Sequence, residues 1–192
     1  MRGWARGAWW IGRAGAVLLA LVMLSAGWAG WLRFSGNVHA VVDGELYRSA
    51  QLSEAQLAEV IGREGIRSIV NLRGRSERSG WWNAETALAK RKGVVHVDLK
   101  MSAQAIPDDA KIDRLLTLLR DLPKPILVHC KAGADRTGLA AALYLATIKG
   151  ADEHSAEAEM SVRYGHVALP LAQSWPMDQT WEVLEARLGL ED

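Results

Sequence analysis

The chain has 192 residues, 49% of them hydrophobic, and a formal net charge of +1. That length suits one ordinary domain with a real core, and near-neutral charge excludes the electrostatic footprint of a nucleic-acid binder. A single cysteine excludes an internal disulfide and a multi-cysteine metal site, and no His, Cys or carboxylate cluster stands at ligand spacing, so neither metal nor cofactor is expected.

Ala14 to Leu32 carries no charge and is long enough to cross a hydrocarbon core of about 30 Å. Trp9, Trp10, Trp28 and Trp31 flank or end the run, as interfacial aromatics do. Arg2, Arg6 and Arg13 precede it and Arg33 alone follows soon after. This bias keeps the N-terminus in the cytoplasm and sends the remaining chain outward. The segment reads as an uncleaved transmembrane anchor over residues 1–33, followed by one domain over residues 34–192. A cleaved signal peptide is the competing reading, because Ser25, Ala26, Gly27, Ala29 and Gly30 gather near its end.

Beyond the anchor, strands and helices alternate. Val38 to Val42 and Leu46-Tyr47 read as strands. Ser53 and Gln56 form a capping box for a helix to Arg63, ended by Gly65. Ile66 to Leu72 is a strand, Gly74 to Gly80 a polar loop, Trp82 to Lys92 a helix and Val94 to Leu99 a strand. Pro107 opens a helix to Leu122, and Pro125 opens a buried strand, Ile126 to His129. Thr137 to Lys149 is a helix, and two more fit Glu153 to Arg163 and Asp178 to Leu188. The pattern predicts an α/β fold, a mainly parallel central sheet flanked by helices on both faces.

The lone Cys130 lies between the strand ending at His129 and the helix opening at Thr137, so backbone amides and the helix dipole there favour an anion. A cysteine at that place beside an arginine favours the thiolate, a nucleophile toward phosphorus. Arg136 supplies a planar fork for two phosphate oxygens. The Thr137 hydroxyl suits a hydrogen bond to the sulfur as it leaves. Lys131, Ala132, Gly133, Ala134 and Asp135 supply the backbone that would wrap a phosphate with Arg136. Gly133 allows the turn, and Gly138 allows the helix to approach the sheet. His129 orders the loop rather than acting as a base.

The stretch His129 to Gly138 resembles the signature of the cysteine-dependent protein tyrosine and dual-specificity phosphatases. The wider chain is similar to the small bacterial, envelope-associated members of that superfamily. Gly44-Glu45-Leu46-Tyr47-Arg48-Ser49-Ala50-Gln51 and Ile69-Val70-Asn71-Leu72-Arg73 carry the likeness outside the loop. The resemblance implies a cysteine-phosphatase fold and hydrolysis of phosphate monoesters through a cysteinyl-phosphate, without a cofactor. Its substrate would be phosphotyrosine or phosphoserine/threonine of a protein, or a small phosphoester. With the anchor, it implies a single-pass protein of the inner membrane whose catalytic domain is periplasmic.

The family also implies a general acid, an aspartate on the loop upstream of the helix that precedes the nucleophile strand. Here Ser102 to Ala105 holds no carboxylate. Asp108 is the expected acid, with Asp109 and Asp98 as alternatives, although acidic residues after a helix-opening proline also serve the helix dipole. Lys131 suits an inositol phosphate, but the second lysine of such loops is Ala134 here. A weakly active phosphate-binding module and a rhodanese-type sulfurtransferase are further alternatives; the latter's loop has one fewer residue before its arginine. Arg73 and Arg75 are candidates to approach the cleft, Arg48 reads as structural, and Trp81 and Trp82 as a cap, a binding surface or a membrane contact. His154 and His166 read as surface or helix-end residues.

Overall fold

The computed structural model describes the backbone of residues 3–190 and the side chains of residues 15–190. Arg2 and the side chains of Arg6, Trp9, Trp10 and Arg13 lie outside the described residues. Two compact units divide the chain, residues 1–35 and 36–192.

The first unit is one helix, α1 (Gly3–Phe34). Its segment Gly15–Phe34 spans 20 residues and is apolar and long enough to cross a membrane. Val17, Leu18, Leu19, Leu21, Val22, Met23 and Leu24 stand exposed along it.

The second unit runs β1 (His39–Val42), β2 (Leu46–Ser49), α2 (Glu54–Glu64), β3 (Ser68–Asn71), α3 (Gly80–Lys92), β4 (Val95–Asp98), α4 (Asp109–Asp121), β5 (Ile126–His129), α5 (Asp135–Tyr144), α6 (Glu153–Glu157) and α7 (Trp175–Leu188). The sheet order is β1-β2-β5-β3-β4. Every pairing is parallel except β1 with β2, which is antiparallel. Alternation along β5 divides the core. Ile126 and Val128 face a cluster with Leu115, Leu119, Leu139 and Leu143 from α4 and α5. Leu127 faces Leu57, Ile61 and Leu88 from α2 and α3 on the other side. Strands buried on both faces need helices on both, and the sequence supplies them in alternation.

The expected elements recur with shifted ends. The capping box of α2 is present, with Ser53 and Gln56 bonded reciprocally, and Gly65 closes the helix at φ 65°. α5 begins at Asp135, two residues before the expected Thr137, and continues as a π-helical turn, Leu145–Lys149. The expected helix Glu153 to Arg163 is broken: α6 stops at Glu157, and only a short 3-10 turn, Val162–Tyr164, follows. The cause is tertiary. The Arg48 Nη1 atom bonds both the Glu159 carbonyl, at 2.6 Å, and the Glu159 carboxylate, at 2.5 Å. With its carbonyl and carboxylate both held by the buried guanidinium, Glu159 is fixed in a tighter turn, its amide bonding the Ala156 carbonyl and that of Met160 the Glu157 carbonyl.

Candidate active site

β5 delivers Cys130 to the carboxyl edge of the sheet, and Ser49 of β2 and Asn71 of β3 pair in register with His129 beside it. The loop from Cys130 then enters α5, whose residues Thr137 to Tyr144 are all buried. A rigid strand and a buried helix thus fix both ends of the loop.

Its carbonyls are tied outward. The Gln51 amide donates to the Lys131 carbonyl (3.3 Å), and Asn37 Nδ2 donates to that of Ala132 (3.1 Å). Arg48 Nη2 donates to the carbonyls of Gly133 (2.9 Å) and Ala134 (3.4 Å), and the Gly138 amide also reaches the latter (2.7 Å). Arg48 is fully buried, with 0% exposure, and paired with Glu159, so it braces the loop as expected of a structural residue. Gly133 holds φ +72°, and a Cβ there would come within 2.6–2.8 Å of the Ser49 and Ala50 backbone. Only glycine fits on both counts. Gly138 is close-packed as well, but against Glu159 and Met160 rather than the expected sheet: a Cβ would lie 2.9 Å from the Glu159 carbonyl.

Several buried polar groups around the loop have no protein partner, some of them on the residues expected to hold a phosphate. Cys130 is buried at 1% exposure, and the Gly133 amide donates to its sulfur at 3.3 Å. Arg136 Nη1 is pinned by the carbonyls of Leu72 and Met101, both at 3.1 Å, while its Nε is buried with no protein partner. The hydroxyls of Thr137 and Ser49 are buried and equally unpartnered. Orphaned buried donors cost free energy unless a ligand satisfies them, so a cradle of this kind suits an oxyanion. Lys131 and Ala132 are exposed and Asp135 half-buried at the loop's outer turn. Among the described residues, no cluster of His, Cys, Asp or Glu suits a metal ion.

Beneath the cysteine lies a buried network. His129 Nε2 bonds Glu85 Oε1 at 3.1 Å, and His96 Nε2 bonds the same oxygen at 2.8 Å. Gln51 Nε2 donates to Glu85 Oε2 (2.7 Å) and its Oε1 accepts from Arg73 Nη1 (2.9 Å). Burial alone would raise the Glu85 carboxyl, but the hydrogen bonds from His129 and His96 hold it well below the usual carboxylate range. His129 therefore orders the strand end.

The three candidate acids each make contacts of their own. Asp108 is the N-cap of α4: its Oδ1 accepts from the Lys111 amide at 2.8 Å, and its side chain is 68% exposed. Asp109 pairs with Arg187 on the surface at 2.7 Å. Asp98 accepts from Asn71 Nδ2 (2.7 Å) and from the Trp82 indole (3.1 Å). Each carboxylate has a structural occupation that the sequence alone left open. Arg73 stacks over Trp81 at 3.6 Å and feels the charges of Arg136 and Cys130, although burial is the chief reason its pKa is lowered. Arg75 is exposed, and Trp82 is anchored through Asp98.

His154 is exposed, as expected, but His166 is not a surface residue: its side chain is 0% exposed between Asp135 and Asp178. Sequence reasoning also missed Asn37, Glu85, Ser49 and Glu159. Only Asn37 carried a signal, the Gly-Asn dipeptide of a turn, and it adopts φ +49°.

A model of the tyrosine phosphatase family matches residues 30–160. The dual specificity protein phosphatase TpbA of Pseudomonas aeruginosa is 32% identical over 117 residues, covering 60% of this chain and 49% of that protein. The chain thus spans about half the length of the curated relative it matches. The crystal structure of P. aeruginosa TpbA superposes with a TM-score of 0.57 at 26% identity, over 81% of this chain and 92% of the other. A second TpbA structure, in complex with pTyr, gives 0.58 at 24% identity over 82% and 93%, a likeness of fold. With the family model matching over more than half its length, this chain belongs to the tyrosine phosphatase family.

Proposed function

We propose that the chain is a cysteine-dependent phosphatase that hydrolyses phosphate monoesters, phosphotyrosine first and phosphoserine or phosphothreonine with it. One observation carries the reading: the loop's carbonyls are bonded outward, while the buried groups without protein partners around it include Arg136 Nε and the Thr137 and Ser49 hydroxyls, beside Nε of the bracing Arg48. TpbA supports the substrate class, since its name is that of a dual specificity phosphatase and it has been crystallised with pTyr.

In this reading the Cys130 thiolate attacks phosphorus in line with the ester oxygen. A sulfur–phosphorus bond forms as the phosphorus–oxygen bond breaks, and the electron pair leaves with the oxygen. The Gly133 amide stabilises the thiolate, and Arg136 and the inward amides hold the three equatorial oxygens as charge spreads over them. Water then displaces the sulfur from phosphorus, and Thr137 hydrogen-bonds the departing thiolate. Asp108 is committed to capping α4, so the leaving oxygen departs without it. Aryl phosphates, whose leaving groups are weakly basic, are therefore the favoured substrates. Alkyl phosphates are expected to react at least about a hundredfold more slowly, the contribution of a missing general acid.

The apolar helix and the arginines before it support anchoring through residues 1–33 and a periplasmic position for residues 34–192. The test is turnover of para-nitrophenyl phosphate by the detergent-solubilised chain, with Cys130→Ser beside it. Loss of turnover to the uncatalysed background in Cys130→Ser, with inorganic phosphate still bound, is expected. Retained turnover in that variant overturns the mechanism.

A further inference from the structure

Asp135 immediately precedes Arg136 and opens α5, where a carboxylate stands beside the anion the loop would hold. Left unpaired, that charge opposes a phosphate dianion held by the same loop. The structure pairs it. His166 Nδ1 lies 2.8 Å from Asp135 Oδ1, and His166 Nε2 lies 2.9 Å from Asp178 Oδ1 on α7. Both ring nitrogens face a carboxylate oxygen, and a neutral imidazole has only one N–H to offer; both bonds are donated together only by the imidazolium.

We propose that His166 is a positioning residue for the phosphate loop: it clamps Asp135 to Asp178 and keeps the Asp135 charge paired while the loop holds a dianion. The inference rests on the phosphate-capture reading above. The ring's side chain is 0% exposed, against 27% for Asp135 and 11% for Asp178, so the imidazole is the buried centre of the cluster. Burial alone would drive off its proton, but the hydrogen bonds to Asp135 and Asp178 outweigh burial and raise its pKa above the ordinary histidine value.

Asp135 from α5 and Asp178 from α7 are the charged groups that face the ring. On its own segment, Arg163 turns to the Tyr164 ring at 5.4 Å instead. Glu157 of α6, with Glu182 and Glu185 of α7, lines a cavity of about 200 Å³ together with Asp178, adding negative charge to that side.

A raised histidine pKa means the clamp is whole below the ordinary histidine value and is lost as pH rises through the raised one. Above it, Asp135 is unpaired and phosphate binding weakens. The experiment is calorimetric titration of inorganic phosphate into the full detergent-solubilised chain from about pH 5.5 to about pH 9.5, a range that brackets histidine titration. Wild type, His166→Gln, Asp135→Asn and the double variant are compared, with thermal melting of each. Phosphate's own ionisation is common to all four and cancels in ratios.

The wild-type affinity, taken relative to Asp135→Asn, is expected to fall about tenfold as pH rises, the effect of one unpaired charge nearby. His166→Gln is expected to be about tenfold weak already at low pH, and adding Asp135→Asn to restore it, since the carboxylate on the phosphate loop itself is then gone and only Asp178 of α7 is left unpaired. A purely structural histidine gives no such rescue. A flat ratio of wild type to Asp135→Asn, wild-type affinity in His166→Gln, or a folded double variant as weak as His166→Gln overturns the proposal. Should His166→Gln not fold, the ratio of wild type to Asp135→Asn decides alone. A wild-type chain that neither binds phosphate nor turns over an aryl phosphate overturns the phosphatase reading itself.

Discussion

In the proposed reaction the loop from Cys130 to Arg136 would hold the phosphate and the loop from Ser102 to Asp108 is where an acid was expected, and the two are built by different means. The first draws its partners from Asn37, Arg48, Gln51 and Leu72, each on another segment. The second holds mainly to itself and the surface: the Gln104 amide bonds Ser102 Oγ, its side chain bonds Gln173, and Ile106 is 56% exposed. Met101, immediately before it, meets the site through backbone, its carbonyl accepting from Arg136 Nη1. A capture site must hold its donors still before the anion arrives, because reorganisation at that moment costs rate. Leaving-group assistance depends instead on one placed acid, and the loop that would carry it has none from Ser102 to Ala105.

The difference is sharpest when the bracing is removed. Arg48→Met leaves Glu159 buried without its cation, an uncompensated charge that costs about 3–5 kcal/mol. Melting by circular dichroism is expected to fall by about 10 °C or more for a chain of this size. The Gly133 carbonyl of the loop loses its donor as well, and that of Ala134 keeps only the Gly138 amide, so activity should fall with stability. An unchanged melting temperature would mean that the loop is not braced from outside.

Gly133→Ala acts on the loop alone. The left-handed φ costs a non-glycine residue about 1–2 kcal/mol, and the Cβ meets backbone that does not yield as a side-chain tip would. Displacing the inward amides by a fraction of an ångström is expected to lower kcat/KM on an aryl phosphate about a hundredfold, with a smaller loss of stability. If the variant keeps wild-type kinetics, the inward-amide geometry is not what the reaction uses.

The loop from Cys130 to Arg136 was legible in the sequence because chemistry restricts the residue type at each offset. Cysteine, glycine, arginine and threonine have different reasons to stand at 130, 133, 136 and 137, and few other residues satisfy them together. The cap of α2 was legible for a similar reason, since Ser53 and Gln56 complete each other locally. What braces the loop was not. Asn37 reaches Ala132 across 95 positions, Arg48 reaches Glu159 across 111, and Glu85 meets His129 across 44. No local periodicity encodes such a pairing. The same contacts explain why the apparent helix through Arg163 breaks after Glu157: propensity favoured helix, and the buried guanidinium claimed the Glu159 carbonyl. The burial of His166 was not legible because its two aspartates lie 31 and 12 positions away.

The smallest expected effect bears most directly on the unbraced half. Asp108 satisfies one amide at the start of α4, and an exposed Lys111 ammonium lies 3.6 Å from its other oxygen. Replacing an N-cap aspartate by alanine costs about 0.5–2 kcal/mol, whereas removing a working general acid costs about a hundredfold or more in kcat. The two roles therefore separate on different instruments. Asp108→Ala is expected to melt a few degrees lower and to hydrolyse para-nitrophenyl phosphate within about twofold of wild type, as a lost cap requires. A melting temperature that holds while alkyl phosphate turnover collapses would return Asp108 to the acid role and give the second loop a catalytic purpose. With the cap result, the preference for aryl over alkyl esters follows from the chain itself, because the groups that capture phosphate are fixed and the proton for the leaving oxygen must come from solvent.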